Sequence, residues 1–402
     1  MPRLHPDAGA ALVVALGVLV IISAVVVGLA AAVRTTTLAA AGDYQRLALY
    51  QAAKGGVNLA RAVLAQDEPA DEDLDEPWAT QEETELELAD GSLLVVRIED
   101  ASARLNLNSC SAESLLALPG VTPEMADSLL DWRDRDDQPR DQGAELEYYQ
   151  ALDPPYEPAN RSLERLEELL QVRGWTPGAL YRPVPEAELP LAGLLAVRSG
   201  ERDVNAQGET RLNLNTATEE QIRRRLQPLL GAAGVEGLLA LRRQLGIFTS
   251  LGELFDLPGA QAQDAVVLDE VSVGPGGLRP TVNVNTAPLE VLAALPGADE
   301  ESAQAILARR EGQDGPIATR GDLLEAVGPE RLRQMIDYVS TRSALFLVTA
   351  TARPASGPGH CTLQATVQRT ATGTQVVAWQ ESFRPLPSPS GELAQKEMTH
   401  GS

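Results

Sequence analysis

The first apolar pattern in the chain is an uncharged stretch that runs from Ala10 to Val33. As a helix its 24 residues would extend about 36 Å at about 1.5 Å per residue, and the apolar core of a bilayer is about 30 Å thick. The pattern therefore predicts a membrane-spanning helix. A cleaved signal peptide is the alternative, because the alanines after Leu29 could form a cleavage site, although the apolar core of such a peptide is only about 7–15 residues long.

A single apolar stripe continues beyond this stretch. It consists of apolar residues at spacings of 4, 4, 3 and 4, namely Leu49, Ala53, Val57, Ala60 and Leu64. Because this spacing places them on one face of a helix, we predict one helix over 10–66. Its first half would lie in lipid, and its second half would pack on a soluble domain. Arg3 on the short N-terminal flank favours a cytoplasmic N-terminus.

Alternating patterns on both sides of the central region predict β-strands. Residues 85–88 and 92–98 flank an Asp90-Gly91 turn, which is typical of a β-hairpin because Asp-Gly tolerates the positive φ of a tight turn. Three further strands, separated by Gly/Pro turns, are predicted at 344–352, 361–368 and 375–380. Since a two-stranded ribbon alone is marginally stable, we predict that all these strands form one antiparallel sheet against the helix.

Between the two groups of strands, one five-residue motif occurs three times, and we call it the Asn phrase. The copies are Arg104-Leu-Asn-Leu-Asn108, Arg211-Leu-Asn-Leu-Asn215 and Thr281-Val-Asn-Val-Asn285. Each copy precedes a small polar residue and a helical pattern, and two of these helices end in Leu-Pro-Gly, at Gly120 and Gly297. Asn, Ser and Thr cap helix N-termini and glycine permits tight turns, so the repeats predict helix-hairpin-helix, SAM-like units.

The charge of the chain disfavours a nucleic-acid partner. The chain has 33 Lys and Arg against 57 Asp and Glu, a net charge of −24, whereas DNA affinity depends on cations that displace counterions. Carboxylates such as Asp127 and Glu301 follow the hairpins where a phosphate grip would need cations. Aromatic residues are scarce at 4%, which disfavours stacking on single strands. We therefore expect the hairpins to serve packing, with no nucleic acid bound.

The sequence contains no recognisable catalytic constellation. None of His5, His360 and His400 neighbours a nucleophile in a known motif. The two cysteines, Cys110 and Cys361, are too few for a multi-cysteine zinc site, and the sequence leaves open whether they pair. We predict that the protein is not an enzyme.

The N-terminal arrangement resembles the type IV pilin-like family. In that family a prepilin peptidase cuts after a glycine that ends a short leader, and the new N-terminal residue is methylated. By this resemblance, Met1–Gly9 is the leader and Ala10 is the first mature residue, although Asp7 stands where basic residues are usual. Most members carry glutamate at the fifth mature position, where this chain has Val14. The K-type minor pseudopilin of type II secretion systems is the member known for lacking that glutamate.

A series of motifs between the first two repeats closely resembles the insert of K-type pseudopilins. With the flanking Asn phrases the series covers roughly 104–216. In order it comprises Asp131-Trp-Arg-Asp134, Asp136-Asp137, Gly143-Ala-Glu145, Tyr148-Tyr149, Leu152-Asp-Pro-Pro-Tyr156 and Leu166-Glu-Glu-Leu-Leu170. The segment 189–277 diverges more, and we interpret the third repeat as an enlargement of the usual insert.

Clustered carboxylates in this series form a candidate metal site. The candidate ligands are Asp131, Asp134, Asp136, Asp137, Glu145 and Asp153. The resemblance implies calcium, since K-type relatives bind this hard cation, which takes about 6–8 oxygen ligands. Ion pairing with Arg133, Arg135 and Arg140 is the competing interpretation, which the sequence leaves open.

The expected fold is α+β, a pilin-like long helix with a small antiparallel sheet that is interrupted by a large all-α insert. The expected segments are a leader (1–9), a transmembrane and amphipathic pilin helix (10–66), the first part of the sheet domain (67–104), the helical insert with three repeats (105–340), the C-terminal strands of the sheet (341–384) and a disordered tail (385–402).

The resemblance implies a minor pseudopilin that caps the pseudopilus tip and nucleates its assembly for the export of folded proteins. One helix would hold it in the inner membrane, with most of the chain in the periplasm, and this helix would present Val14, Leu16 and Leu19 to other subunits. Expected partners are the I- and J-type minor pseudopilins, the major pseudopilin and the prepilin peptidase. The alternative is a membrane-anchored, competence-type helix-hairpin-helix protein that binds DNA, which residues 282–338 resemble by themselves.

Overall fold

The computed structural model describes residues 7–66, 74, 76, 78–79, 84–183, 189–257, 265–313, 315–357 and 359–384. The side chains of 7–11, Thr84 and 383–384 are not described. Most of the predicted leader (1–9), most of residues 67–83, and the predicted disordered tail (385–402) lie outside the described residues.

Helices and strands alternate irregularly along the described chain. The α-helices are α1 (Asp7–Gln66), α2 (Ala112–Leu116), α3 (Pro123–Arg133), α4 (Leu146–Gln150), α5 (Pro177–Tyr181), α6 (Leu191–Leu194), α7 (Glu219–Leu245), α8 (Val267–Glu270), α9 (Leu289–Ala293), α10 (Glu300–Arg310) and α11 (Leu323–Met335). The strands are β1 (Thr84–Glu87), β2 (Leu93–Asp100), β3 (Leu105–Asn106), β4 (Leu195–Ala196), β5 (Glu201–Arg202), β6 (Leu212–Asn213), β7 (Val271–Ser272), β8 (Leu278–Arg279), β9 (Val282–Asn283), β10 (Val339–Ser340), β11 (Leu345–Arg353), β12 (His360–Thr370) and β13 (Gly373–Arg384). Short 3₁₀ helices lie at Ala101–Ala103, Leu166–Gln171, Leu251–Asp256 and Arg320–Asp322.

The long N-terminal helix predicted from the apolar stripe is α1. All five stripe residues are buried, at most 4% exposed, and they pack on the sheet. Gly56 lies at the closest approach, because a Cβ there would be 2.9 Å from Cγ2 of Val96 and 3.0 Å from Cβ of Ala350. A residue with a side chain would push helix and sheet apart at this point.

The sheet has five strands in the order β1-β2-β11-β12-β13, and every neighbouring pair is antiparallel. Strand β2 lies beside β11 although 244 residues separate Asp100 from Leu345, between which the insert lies. Apolar side chains that alternate along β2, β11 and β12 form a core with α1 and Trp78. The prediction of a long helix with a small antiparallel sheet is confirmed.

The insert has a second hydrophobic core and is not purely helical, so that part of the all-α prediction is wrong. Its three Asn phrases form β3, β6 and β9, which pair in parallel with β4, β7 and β10 respectively. Strands β5 and β8 add an antiparallel pair. The reason is local. Each Asn phrase is extended, so its backbone N–H and C=O groups need hydrogen-bond partners, which a returning segment provides. Each repeat is thereby closed by a two-residue parallel ladder.

The helical hairpins of the three repeats differ in their turns. In the first repeat Gly120 (φ 80°) separates α2 from α3, and in the third Gly297 (φ 73°) separates α9 from α10. Thr122 and Asp299 then cap the second helix of each hairpin through their side-chain oxygens. In the middle repeat Gly231 (φ 68°) kinks α7 at the position equivalent to these glycines. Alanines follow it instead of a capping residue.

Candidate functional site

Three carboxylates come together where α3 ends. Asp131 lies in the last turn of α3 and is fully buried, Asp134 is its C-terminal cap, and Glu145 is the N-cap residue of α4. One oxygen from each lies within 4.8 Å of the others. Three negative charges at this spacing repel one another unless cations or donors compensate them.

The backbone of the connecting loop holds Asp131 in place. The backbone N–H of Arg140 donates to both carboxylate oxygens of Asp131, at 3.4 and 3.2 Å. Gly143 passes so close that a Cβ there would lie 1.8 Å from Oδ2 of Asp131. The Gly-Ala-Glu motif therefore has a steric cause, since only glycine lets the loop cover the buried carboxylate.

Arg140 compensates two of the three carboxylates. Its Nη1 donates to Oδ1 of Asp131 and, at 2.7 Å, to Oδ2 of Asp134. Among the described residues, neither side-chain oxygen of Glu145 has a hydrogen-bond partner, although this side chain is buried. Burial and the neighbouring charges of Asp131 and Asp134 raise the pKa of Glu145 to about 7. The cluster thus has one arginine and an orphaned third carboxylate.

The other three candidate ligands are not part of this close group of three. Asp136, Asp137 and Asp153 are exposed, and Oδ1 of Asp136 accepts a hydrogen bond from the backbone N–H of Gln138. The donor set that the fold assembles is therefore Asp131, Asp134 and Glu145. These oxygen ligands suit a hard cation, and the orphaned Glu145 oxygens are what a cation would satisfy.

The second asparagine of each repeat makes the same set of hydrogen bonds within the chain. The Nδ2 group of Asn108 donates to the carbonyls of Leu163 and Val197, both at 2.9 Å, and its Oδ1 accepts from the N–H of Leu163 at 2.7 Å. Asn215 makes the same three bonds with Phe248 and Val273, at 2.8 Å each. We call each such arrangement an Asn clamp.

The third repeat contains the same Asn clamp. Asn285 donates to the carbonyls of Ile317 and Thr341, at 3.0 and 3.3 Å, and accepts from the N–H of Ile317 at 2.9 Å. In each repeat the clamp joins the Asn phrase to the returning strand and to a loop beyond the hairpin. The repetition in the sequence is therefore a repetition of backbone hydrogen bonding.

One arginine in each repeat reinforces the Asn phrase, and the sequence did not reveal this role. Arg310 donates through Nη1 to the carbonyls of Val284 and Ala287, at 2.9 and 2.8 Å. Arg242 donates to the carbonyls of Asn215 and Ala217, at 3.0 and 2.6 Å. Each arginine lies near the end of the hairpin's second helix. This shared position is the feature of the sequence that could have predicted its role.

The first repeat follows the same scheme. Arg133 donates to the carbonyls of Leu107 and Cys110, which correspond to Val284 and Ala287 in the third repeat. In the three hairpins, these cations are directed at backbone carbonyls. This arrangement speaks against a phosphate grip, because bound guanidinium groups would have to release those carbonyls first.

The arginine that opens the middle phrase is also committed to the fold. Arg211 is buried and donates to both carboxylate oxygens of Glu201, at 2.8 and 3.2 Å, and to Oδ1 of Asp269 at 2.9 Å. Asp269 also accepts from Arg342 at 2.7 Å. These contacts link the middle repeat to the segment that leads back to the sheet.

The first half of α1 is apolar and exposed. The three predicted assembly residues, Val14, Leu16 and Leu19, are 61–66% exposed. Over Leu12–Gln66 this helix is, among the described residues, the one long and apolar enough to span a membrane, with a mean hydropathy of 3.1 in its most apolar window. Gly9 and Ala10 lie in the first turns of α1, where side chains are not described. The helix supports single-pass anchoring.

The two cysteines are unpaired and lie in different cores. Cys110 belongs to the core of the insert, and Cys361 belongs to the core between sheet and α1. The pairing that the sequence left open therefore does not form in this fold.

Comparison with known proteins identifies two matching segments. Residues 96–185 match a family model described as type II secretion system protein K, first domain model, and residues 282–342 match a second model of type II secretion system protein K. The segment between these two matches contains the middle repeat.

Two curated relatives carry the same description. The chain is 35% identical to the type II secretion system protein K of Pseudomonas aeruginosa, over 40% of this chain and 56% of the relative. It is 33% identical to the putative type II secretion system protein K of Escherichia coli K12, over 32% of this chain and 45% of the relative. The chain therefore matches about half the length of these relatives.

A solved structure shares the fold. A chain in the crystal structure of the GspK-GspI-GspJ complex from the type 2 secretion system of enterotoxigenic Escherichia coli matches with a TM-score of 0.51 and 16% identity. The match covers 85% of this chain and 97% of that chain. The chain is therefore similar to type II secretion system protein K in two family-matched segments, in two relatives above 30% identity and in fold.

Proposed function

We propose that this protein is a membrane-anchored minor pseudopilin of a type II secretion system, which caps the tip of the pseudopilus. The proposal rests on the difference between the two halves of α1. Its apolar first half is exposed, while its second half is buried on a sheet that carries a large insert. Exposed apolar surface of this extent requires lipid or protein around it.

The anchoring helix sets the location and the route of assembly. In this proposal α1 holds the protein in the inner membrane, with the sheet and the insert in the periplasm. The prepilin peptidase removes residues 1–9, and α1 then leaves the lipid to pack against helices of other subunits. Val14, Leu16 and Leu19 would contact those helices through apolar packing alone.

The absence of glutamate at position 14 suits the first subunit of a fibre. In pilin-like assemblies that carboxylate is expected to pair with the terminal amine of the subunit ahead. A chain with Val14 has no charge to compensate there, so it needs no subunit ahead of it. The insert would block further addition by its bulk.

The proposed partners are the I- and J-type minor pseudopilins and the major pseudopilin. The support is the similarity in fold to a chain of the GspK-GspI-GspJ complex. The test is affinity purification of the full chain, in detergent, from cells that express all four subunits. We expect the I- and J-type proteins to copurify at near-equal amounts, and their absence would contradict the proposal.

The insert serves packing in this proposal. We assign its three repeats to the helix-hairpin-helix, SAM-like class, because the hairpins turn at Gly120, Gly231 and Gly297 and follow equivalent Asn clamps. The role is structural rather than catalytic. Retention of duplex DNA by the full chain in a gel-shift assay at low salt would instead favour the competence-type alternative.

We also propose that Asp131, Asp134 and Glu145 hold a calcium ion. The support is the orphaned, buried Glu145 and the absence of nitrogen or sulfur ligands from this group of three. Calcium would supply the positive charge that offsets the mutual repulsion of these carboxylates, and would stabilise the loop that joins α3 to α4. The melting temperature of the full chain in detergent should rise with calcium relative to chelator.

A further inference from the structure

The carboxylate cluster already contains a cation of the chain itself, and its position defines a competition. One nitrogen, Nη1 of Arg140, contacts carboxylate oxygens of both Asp131 and Asp134. A metal ion bound by all three carboxylates has to lie between these same two residues, because calcium–oxygen distances are only about 2.3–2.6 Å. The guanidinium group and the ion therefore need the same space.

Arg140 compensates the charge of this cluster incompletely. When fully ionised, Asp131, Asp134 and Glu145 carry three negative charges, and Arg140 contributes one positive charge. Glu145 keeps both oxygens buried and without a hydrogen-bond partner among the described residues, so the arginine does not reach it. A divalent cation would contact all three carboxylates.

The side chain of Arg140 can also move out of the cluster into solvent. Its side chain is 40% exposed, whereas that of Asp131 is fully buried. It lies on the segment between α3 and α4, which contains no helix or strand. The contact of its backbone N–H with Asp131 does not depend on the side chain, so the loop can keep its course when the guanidinium group moves out to solvent.

We propose that Arg140 is a built-in counter-ion that occupies the cation site when no metal is bound, and that calcium binds by displacing it. This inference rests on the proposed calcium site and adds the residue that sets its affinity. Arg140 lowers the affinity for calcium, because its two ion pairs are lost on binding. Its presence keeps Asp131 and Asp134 compensated in the free protein.

The test is calcium titration by isothermal calorimetry of the full chain in detergent, with Arg140→Gln and Arg135→Gln. Arg135 is an exposed arginine of the same loop, so its replacement changes the net charge equally without touching the cluster. We expect Arg140→Gln to bind calcium about three- to tenfold more tightly than the wild type, which is the range for loss of partly exposed ion pairs. We expect Arg135→Gln to stay within about twofold of the wild type.

Four results would overturn the inference. Equal tightening in both variants would mean that net charge alone sets the affinity. Weaker binding by Arg140→Gln would mean that Arg140 shapes the site instead of competing for it. No calcium binding in any of the three proteins would remove the calcium site itself, whereas binding that Arg140→Gln leaves unchanged would remove only the competition. Glu145→Gln should weaken binding in every case, which locates the ion in this cluster.

Discussion

Thr286 Oγ1 donates a hydrogen bond of 2.6 Å to Asp100 Oδ2, across 186 residues of sequence. The same oxygen accepts from Asn283 at 3.0 Å and from Ser343 at 2.6 Å, and Oδ1 accepts from the N–H of Ser102 at 2.7 Å. Asp100 ends β2, and Ser343 immediately precedes the return to the sheet. A single buried carboxylate therefore ties both ends of the insert and its third repeat to the sheet.

Replacement of this carboxylate should loosen the insert. Asp100→Asn turns an acceptor toward which three donors converge into a group that itself donates, so at least one buried donor is left unpaired. We expect a loss of about 2–4 kcal/mol in the free energy of unfolding, measured by denaturant titration of the full chain in detergent. Asp43→Asn, on the exposed part of α1, is the matched control and should change little. Equal stability of the two variants would contradict the role of Asp100.

The middle Asn clamp should be as important as the other two, although it lies outside both family-matched segments. Asn215→Asp removes two donors and places a carboxylate opposite two carbonyl oxygens. We expect a loss of about 2–4 kcal/mol and faster amide hydrogen exchange across 212–273. Asn58→Asp, at an exposed site on α1, controls for the change in charge. Uniformly unchanged exchange in 212–273 would show that the clamp does not hold this repeat.

The stability of the metal-free protein should fall as pH rises. The pKa of Glu145 is raised to about 7 from 4.5 by burial and by the neighbouring carboxylates. A folded-state pKa above the unfolded value means that the folded protein binds the proton more tightly, so the stability gained at low pH is lost between about pH 4.5 and 7. In chelator we expect a lower melting temperature at pH 8 than at pH 5.5, and Glu145→Gln should reduce this difference. A melting temperature that rises over this range equally in both proteins would be the opposite result.

Two adjacent glycines of α1 should respond oppositely to alanine. Gly56→Ala places a Cβ 2.9 Å from Val96 and 3.0 Å from Ala350, and we expect a loss of about 1–3 kcal/mol from overpacking. At Gly55 a Cβ meets nothing within 4 Å, so Gly55→Ala should gain about 0.5–1 kcal/mol from helix propensity. Thermal unfolding of the two variants measures the difference. Similar effects from both would contradict the close packing of α1 on β2 and β11.

Processing at the N-terminus should depend on Gly9. In the proposed leader Gly9 precedes the cleaved bond, so Gly9→Glu should leave the first nine residues in place, and Gly17→Ala should be processed normally. Mass spectrometry of the membrane-extracted N-terminus measures both. A Gly9→Glu chain that begins at Ala10 would refute the leader, and mature chains that begin near Arg34 would indicate a signal peptide.

Much of the architecture follows from short-range pattern in the sequence. The stripe from Leu49 to Leu64 predicts one face of a helix because neighbouring turns bring these residues together. The Asp90-Gly91 turn and the alternation on either side of it predict a hairpin for the same local reason, and the three Asn phrases mark the repeats. The tight turns at Gly120 and Gly297 are likewise local, because each requires only a positive φ at its glycine.

The tertiary structure decided which polar side chains that are far apart in sequence become partners. Nothing near Asp100 in sequence indicates that Thr286 reaches it, and nothing near Arg140 indicates whether it pairs with Asp131 or points to solvent. Asp136 and Asp153 have the same chemistry as Asp134, yet only Asp134 caps α3 beside the buried Asp131. The reason is physical: residue type and spacing determine local conformation, whereas burial and partner choice depend on how the elements pack, which no local pattern encodes.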